Sequence, residues 1–164
     1  WTIYALVRQI LLTTGTGTTL LEIAEQPLYP GRKYEAFLSQ TGRLHVRWFL
    51  VQLVCEERAT YQQGTDTRTA TAIVHRETVL SERKFAIPPG GAFETHFTVA
   101  LPSSAMHSFS ADHNAVSWML VVRSRMARWP EFERRFPLYV FPLSAAHPLV
   151  AATTVPRRIE PGSP

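Results

Sequence analysis

At 164 residues, with 45% hydrophobic and 18% charged side chains, the chain can bury one domain-sized core and is too apolar for wholesale disorder. The net charge of +4 rests on 15 Arg against 2 Lys, scattered except at Arg134-Arg135 and Arg157-Arg158. This is not the clustered, aromatic-interleaved footprint of a nucleic-acid binder. A lone cysteine, Cys55, excludes an internal disulfide framework and any cysteine-rich metal site, and leans towards a reducing compartment.

The chain starts at Trp1 rather than Met, as a fragment or processed product would, and its first twelve residues are apolar at nine positions. Twelve residues are too few to span a bilayer, which takes about 20. Trp1–Leu12 is therefore an edge strand or short packed helix, or the end of a membrane span that begins upstream of Trp1. A span of that kind would leave Arg8 at the cytoplasmic interface and the rest of the chain in the cytoplasm. Thr13 to Thr19 is a Thr/Gly linker, so residues 1–19 form an N-terminal segment distinct from a domain over 20–146.

Within that domain, Val, Thr, Phe, Tyr and Trp recur and helix formers never run long, which predicts an all-β fold. A short strand is expected at Leu20–Ala24. Tyr29-Pro30-Gly31 then places Pro and Gly as a type II turn prefers. Lys33–Leu38 forms the next strand, followed by the stronger one from Leu44 to Cys55. In that strand Leu44, Val46, Trp48 and Leu50 fall on one face, and Cys55 sits in an apolar run as a buried small hydrophobe. Glu56–Arg68 is polar, with Gly64 and Asp66, and reads as a long hairpin connection. Thr69–Leu80 is rich in β-branched residues but separates its faces poorly, as an edge strand does.

The clearest period-two alternation follows the turn at Pro88-Pro89-Gly90-Gly91. Phe93, Thr95, Phe97, Val99 and Leu101 share one face, with Glu94, His96 and Thr98 on the other. Val116–Arg123 and Phe136–Pro142 complete the pattern. The predicted core holds Phe97, Val99, Trp118, Leu120, Val122, Trp48 and Leu50. From His147 to Pro164 the chain is an Ala-, Thr- and Pro-rich tail.

Four of these stretches together resemble the arrestin-like sandwich family, which includes arrestins, retromer subunits and bacterial sporulation-control proteins. They are the strand into Tyr29-Pro30-Gly31, the apolar strand Val46–Cys55, the run Ile87-Pro88-Pro89-Gly90-Gly91-Ala92-Phe93 flowing into Phe97–Pro102, and Ser108-Phe109 ahead of Val116–Val122. The resemblance covers about residues 30 to 142. It implies a two-sheet antiparallel immunoglobulin-like sandwich that binds partners without catalysis or a cofactor. A full arrestin has two such lobes, and this chain has room for one. The arrestin polar core does not map onto these residues, so phosphoreceptor binding is not carried over.

Ligand-type residues concentrate at Met106–Asn114. His107, Asp112 and His113 have the chemistry of a metal site, and Ser108 with His113 and Asp112 could be drawn as a triad. A zinc site needs rigidly held ligands, and a hydrolase needs a nucleophile on a strained turn with an oxyanion hole; neither pattern is present. The simpler reading has Ser108 and Asn114 closing the loop through backbone hydrogen bonds. Glu56-Glu57-Arg58 and Glu131–Arg135 are solvated charge clusters or a recognition rim. Partner-binding candidates are Ile73, His75, Arg76 and Val79 on the edge strand, and Trp129 and Phe132 flanking a turn. The function expected from the sequence is that of a protein-interaction or scaffold domain, cytoplasmic or at the cytoplasmic face of a membrane. The alternative is a ligand- or metal-binding module built on the His107–His113 loop.

Overall fold

A computed structural model describes residues 17–128 and 130–143. The expectations for Trp1–Leu12, for the tail from His147 and for Trp129 lie outside the described residues. Eight strands follow in chain order: β1 (Thr19–Ile23), β2 (Lys33–Thr41), β3 (Leu44–Gln63), β4 (Asp66–Ile87), β5 (Ala92–Ala100), β6 (Phe109–Ser110), β7 (Asn114–Met126) and β8 (Phe132–Leu138). One sheet has the order β1-β2-β5. The other runs β4-β3-β7-β6, with β8 also paired to β7, and every pairing is antiparallel. No helix among the described residues is long and apolar enough to cross a membrane.

The two sheets close over one core because each inner face is apolar at alternate positions. Leu21, Ile23, Tyr34, Ala36, Leu38, Phe97 and Val99 come from the smaller sheet. Phe49, Val51, Leu53, Cys55, Trp118, Leu120 and Val122 come from the larger. Phe85 and Phe93 stack with centroids 4.4 Å apart, and Phe49 lies 5.9 Å from Phe93, closing the end of the sandwich near the β4–β5 turn. At Tyr29-Pro30-Gly31 the glycine has φ +76° at the third turn position, the geometry a type II turn requires. The Tyr29 amide donates to the Tyr34 hydroxyl at 2.6 Å and ties that turn to β2.

Phe97, Val99, Trp118, Leu120 and Val122 are buried as expected, but Trp48 and Leu50 are not in the core. On β3, Val46 pairs with Met126 and Trp48 with Arg125, so Arg47 is an extra residue without a β7 partner. One inserted residue moves every later side chain to the opposite face. Leu44 and Val46 point inward before the bulge; Phe49, Val51, Leu53 and Cys55 point inward after it, leaving Trp48 and Leu50 half-buried on the outer face.

The second correction concerns Glu56–Arg68, which is not a loop. β3 continues to Gln63 and β4 starts at Asp66, so only Gly64 and Thr65 form the turn. Gly64 has φ +68° while Thr65 is not among the residues with positive φ, the type II′ pattern whose twist matches a hairpin. The edge-strand expectation for Thr69–Leu80 extends over a longer element, because β4 is 22 residues and among the described residues pairs only with β3.

A buried polar link also joins the sheets. Arg134 on β8 is 4% exposed and donates to the Thr19 hydroxyl and, at 2.8 Å, to the Gly17 carbonyl; Thr19 in turn donates to Gln40. Burial pushes the Arg134 guanidinium below its ordinary value. Its charge lies over the Phe132 ring at 4.8 Å.

Candidate functional site

Past Cys55 the β3–β4 ribbon runs beyond the core, with β7 beside β3 as far as Ala59 and a two-stranded arm from Thr60 to the turn. Every residue of β4 from Asp66 to Val74 is exposed, including Ile73 at 47% and Val74 at 51%. The arm holds itself together by its own ladder and by cross-strand contacts such as the Thr60 and Thr69 hydroxyls, 3.1 Å apart. It is also tethered at the side, where the Thr60 amide donates to the His113 carbonyl at 2.7 Å.

Two further irregularities shape β4. Val74 and Val79 are extra residues relative to β3, at the register shifts beside Cys55/Glu56 and Val51/Gln52. They distribute the partner-binding candidates over different surfaces. Ile73 sits opposite Glu56 on the outer face. Arg76 joins it there, in a shallow groove that also involves Val54, Met119 and Val121. His75 lies opposite Cys55 on the inner face, its ring 5.5 Å from that of Trp118 and its Nε2 3.7 Å from Glu77. Val79 is half-buried against the core. Phe132 is half-buried beneath Arg134 rather than displayed at a tip, so the structure gathers Ile73 and Arg76 and separates His75, Val79 and Phe132 from them.

The Met106–Asn114 loop is held by backbone. Ser108 donates its amide to the Val140 carbonyl at 2.7 Å and accepts the Val140 amide on its hydroxyl at 3.0 Å. Asn114 takes part through its carbonyl, which accepts the Ala111 amide at 2.8 Å. His107, Asp112 and His113 are all exposed, and His107 packs beside Phe109 at 5.8 Å. Among the described residues no group of three or more His, Cys, Asp or Glu side chains gathers to hold a metal. Among the described residues no hydrogen bond links the Ser108 hydroxyl to His113 or Asp112; it accepts from the Val140 amide.

Sequence reasoning missed the groove under the arm. One cavity of about 320 Å³ is lined by Ala59, Ala70, Ala72, Met106, Phe109 and Val116 among others; a second, of about 220 Å³, reaches Val74, His75 and Trp118, and Glu57 and Met106 border both. The Trp118 indole donates to the Met106 carbonyl at 2.8 Å, which fixes the loop above the groove. Cys55, on the groove floor, has its thiol pushed up to about 11, first by burial and then by the nearby Glu57 carboxylate. It is protonated and unreactive near neutral pH.

On the outer face Arg123 and Arg135 are already paired. Arg123 meets Glu131 at 3.2 Å and Glu133 at 3.5 Å, while Arg135 meets Glu133 at 2.8 Å and Glu56 at 3.5 Å. These pairs cover Val54 and Val121, which are buried although they face away from the core.

Two antiparallel sheets closed over one core make this a two-sheet β-sandwich of arrestin-like fold. The solved structure of Spo0M, a sporulation control protein from Bacillus subtilis, shares the fold with a TM-score of 0.59 and 16% sequence identity over 77% of this chain. The match spans 50% of that protein's length. No protein-family model and no curated protein sequence matches the chain.

Proposed function

We propose that this domain is a non-catalytic protein-interaction or scaffold module that captures a partner by strand addition along the free edge of β4. The observation that carries it is a 22-residue strand that, among the described residues, is paired on one side only, and whose Asp66–Val74 portion is exposed. Unpaired backbone N–H and C=O groups on such an edge template another strand. The bulges at Val74 and Val79 interrupt the edge nearer the sandwich, leaving Asp66–Ile73 as its regular stretch. Ile73 supplies an apolar contact beside that edge and Arg76 a charge, while His75 and Val79 position the strand from the inner side. The reading includes a cytoplasmic location, free or at the membrane face; carbonate extraction of membranes carrying the full-length protein checks that part.

The test uses two single variants, Ala72→Pro and Ile73→Pro. Alternate amides point to opposite sides of a strand, so one of the two prolines removes an outward donor and spares the β3 ladder. Thermal melting identifies the variant that keeps the parent's stability. That variant should lose the proteins that the parent recovers in a pull-down, and undiminished recovery would overturn strand addition at β4.

A further inference from the structure

The inner face of the larger sheet outruns the smaller sheet that covers it. Its cross-strand rows can be followed outward from the core. The first row is His75–Cys55–Trp118, with Cys55 and Trp118 buried. The second is Ala72–Glu57–Val116, and the third is Ala70–Ala59–Asn114. The second row thus sets a carboxylate where the core pattern Val51, Leu53, Cys55 would call for an apolar side chain.

Glu57 is half-buried and borders both cavities under the arm. No hydrogen bond or ion pair to its carboxylate forms among the described residues. Its neighbour Glu56, on the outer face, has Arg135. Set among apolar side chains, this carboxylate presents a negative charge to whatever enters the groove, and its complement is a positive charge. The surroundings define the rest of that complement. The Ala59, Ala70 and Ala72 methyls leave the floor open, while Met106 and Phe109, 50% and 37% exposed, form an apolar wall.

We propose that this groove is a docking site for a peptide segment of a protein partner, carrying a lysine between aliphatic residues. The ammonium meets Glu57 and the four-carbon stem lies along the alanine methyls; the flanking aliphatic side chains pack on Met106 and Phe109. Lysine fits because its stem is apolar and its charge compact. Together the two cavities have the size of a site for a few side chains. The groove uses inward side chains of β4, whereas strand addition uses the strand's outward backbone groups, so the site stands whether or not that edge recruits a strand.

The test is a methyl NMR titration of the full chain with the peptide acetyl-Leu-Ala-Lys-Val-Leu-amide, and with the same peptide carrying norleucine in place of lysine. The lysine peptide should shift the methyls of Ala59, Ala70, Ala72 and Met106 and bind about tenfold more tightly than its neutral isostere, as expected for one charge-assisted contact. Glu57→Gln should bring the two affinities together. Ala70→Leu, which fills the floor of an exposed strand position, should block both peptides with the melting temperature unchanged. Equal affinities for the two peptides in the parent, or a preference that survives Glu57→Gln, would overturn the proposal. Shifts confined to other methyls, or n-hexylammonium binding as tightly as the peptide, would overturn it as well, the last by assigning the groove to small amines.

Discussion

The two halves of β3 are one continuous strand under opposite physical regimes. From Leu44 to Cys55 it runs through the middle of a sheet with a second sheet packed on it, and Phe49, Val51 and Leu53 are fully buried. From Glu56 to Gln63 it keeps β4 along its whole length and β7 as far as Ala59, yet its side chains lie in water or at the groove. Backbone pairing extends the strand; only apolar burial decides what a substitution along it costs. The inner half therefore specifies the fold, and the outer half is free to carry recognition chemistry.

The largest effect expected from that comparison is at the core end. Trp118→Ala, which removes a buried aromatic that also donates to the Met106 carbonyl, should lower stability by about 3–5 kcal/mol. Phe49→Ala should cost as much, whereas its neighbour Trp48, turned outward by the bulge, should lose only about 1 kcal/mol on truncation. Denaturant melts of the two single variants measure the difference directly. A Trp48→Ala variant as damaged as Phe49→Ala would mean that the bulge at Arg47 is absent and the uninterrupted alternation correct.

That bulge also explains which parts of the fold were legible in the sequence. Phe93–Leu101 was readable because each side chain lies on one consistent face from Phe93 to the Leu101 core position. Leu44–Cys55 was recognisable as a strand, but its register was not, because Arg47 carries no Gly or Pro mark of irregularity. The opposing Lys84 adopts φ +53° without being glycine either. The arm was misread for a different reason: with solvent on both faces, Thr, Gln, Ala and Arg need not alternate, and a polar ribbon has the composition of a loop. The groove followed the same fate, since Glu57 was grouped with Glu56 and Arg58 as solvated charge. Counting inward positions from the bulge, through Val51, Leu53 and Cys55 to Glu57 and Ala59, is the signal that finds it.

An intermediate effect sits at the junction of the two halves. The Cys55 thiol is raised from its ordinary 9.0 to about 11. The folded protein keeps a proton that the unfolded chain gives up. Its stabilising contribution is therefore fully present below about pH 9 and is lost as pH rises through 11. At about 1.4 kcal/mol per unit, the parent should lose roughly 2–3 kcal/mol more than a Cys55→Val variant between pH 8 and pH 11. Alkaline melts measure this, and an identical loss in the two proteins would instead show that the thiol titrates as it does in water. In the arm itself, Tyr61→Ala and Thr69→Ala should each change stability by less than about 0.5 kcal/mol, since neither residue is buried.

The smallest expected effect tests whether the outer face contributes recognition or stability. Arg135 bridges Glu133 and Glu56 across β8, β7 and β3, and both carboxylates hold its guanidinium charge above the ordinary value. The pairs nevertheless lie at the surface, where ordering two long side chains offsets most of the Coulomb gain and salt screens the remainder. Arg135→Ala should therefore cost at most about 1 kcal/mol at low ionic strength and almost nothing at 1 M salt. The apolar floor beneath it, Val54 and Val121, is the stabilising part, and uncovering that floor should matter less than emptying it. If Arg135→Ala were as costly as a core truncation at both ionic strengths, the outer face would be a second packed layer. The division between a fold-determining inner half of β3 and an energetically neutral outer half would then move to include it.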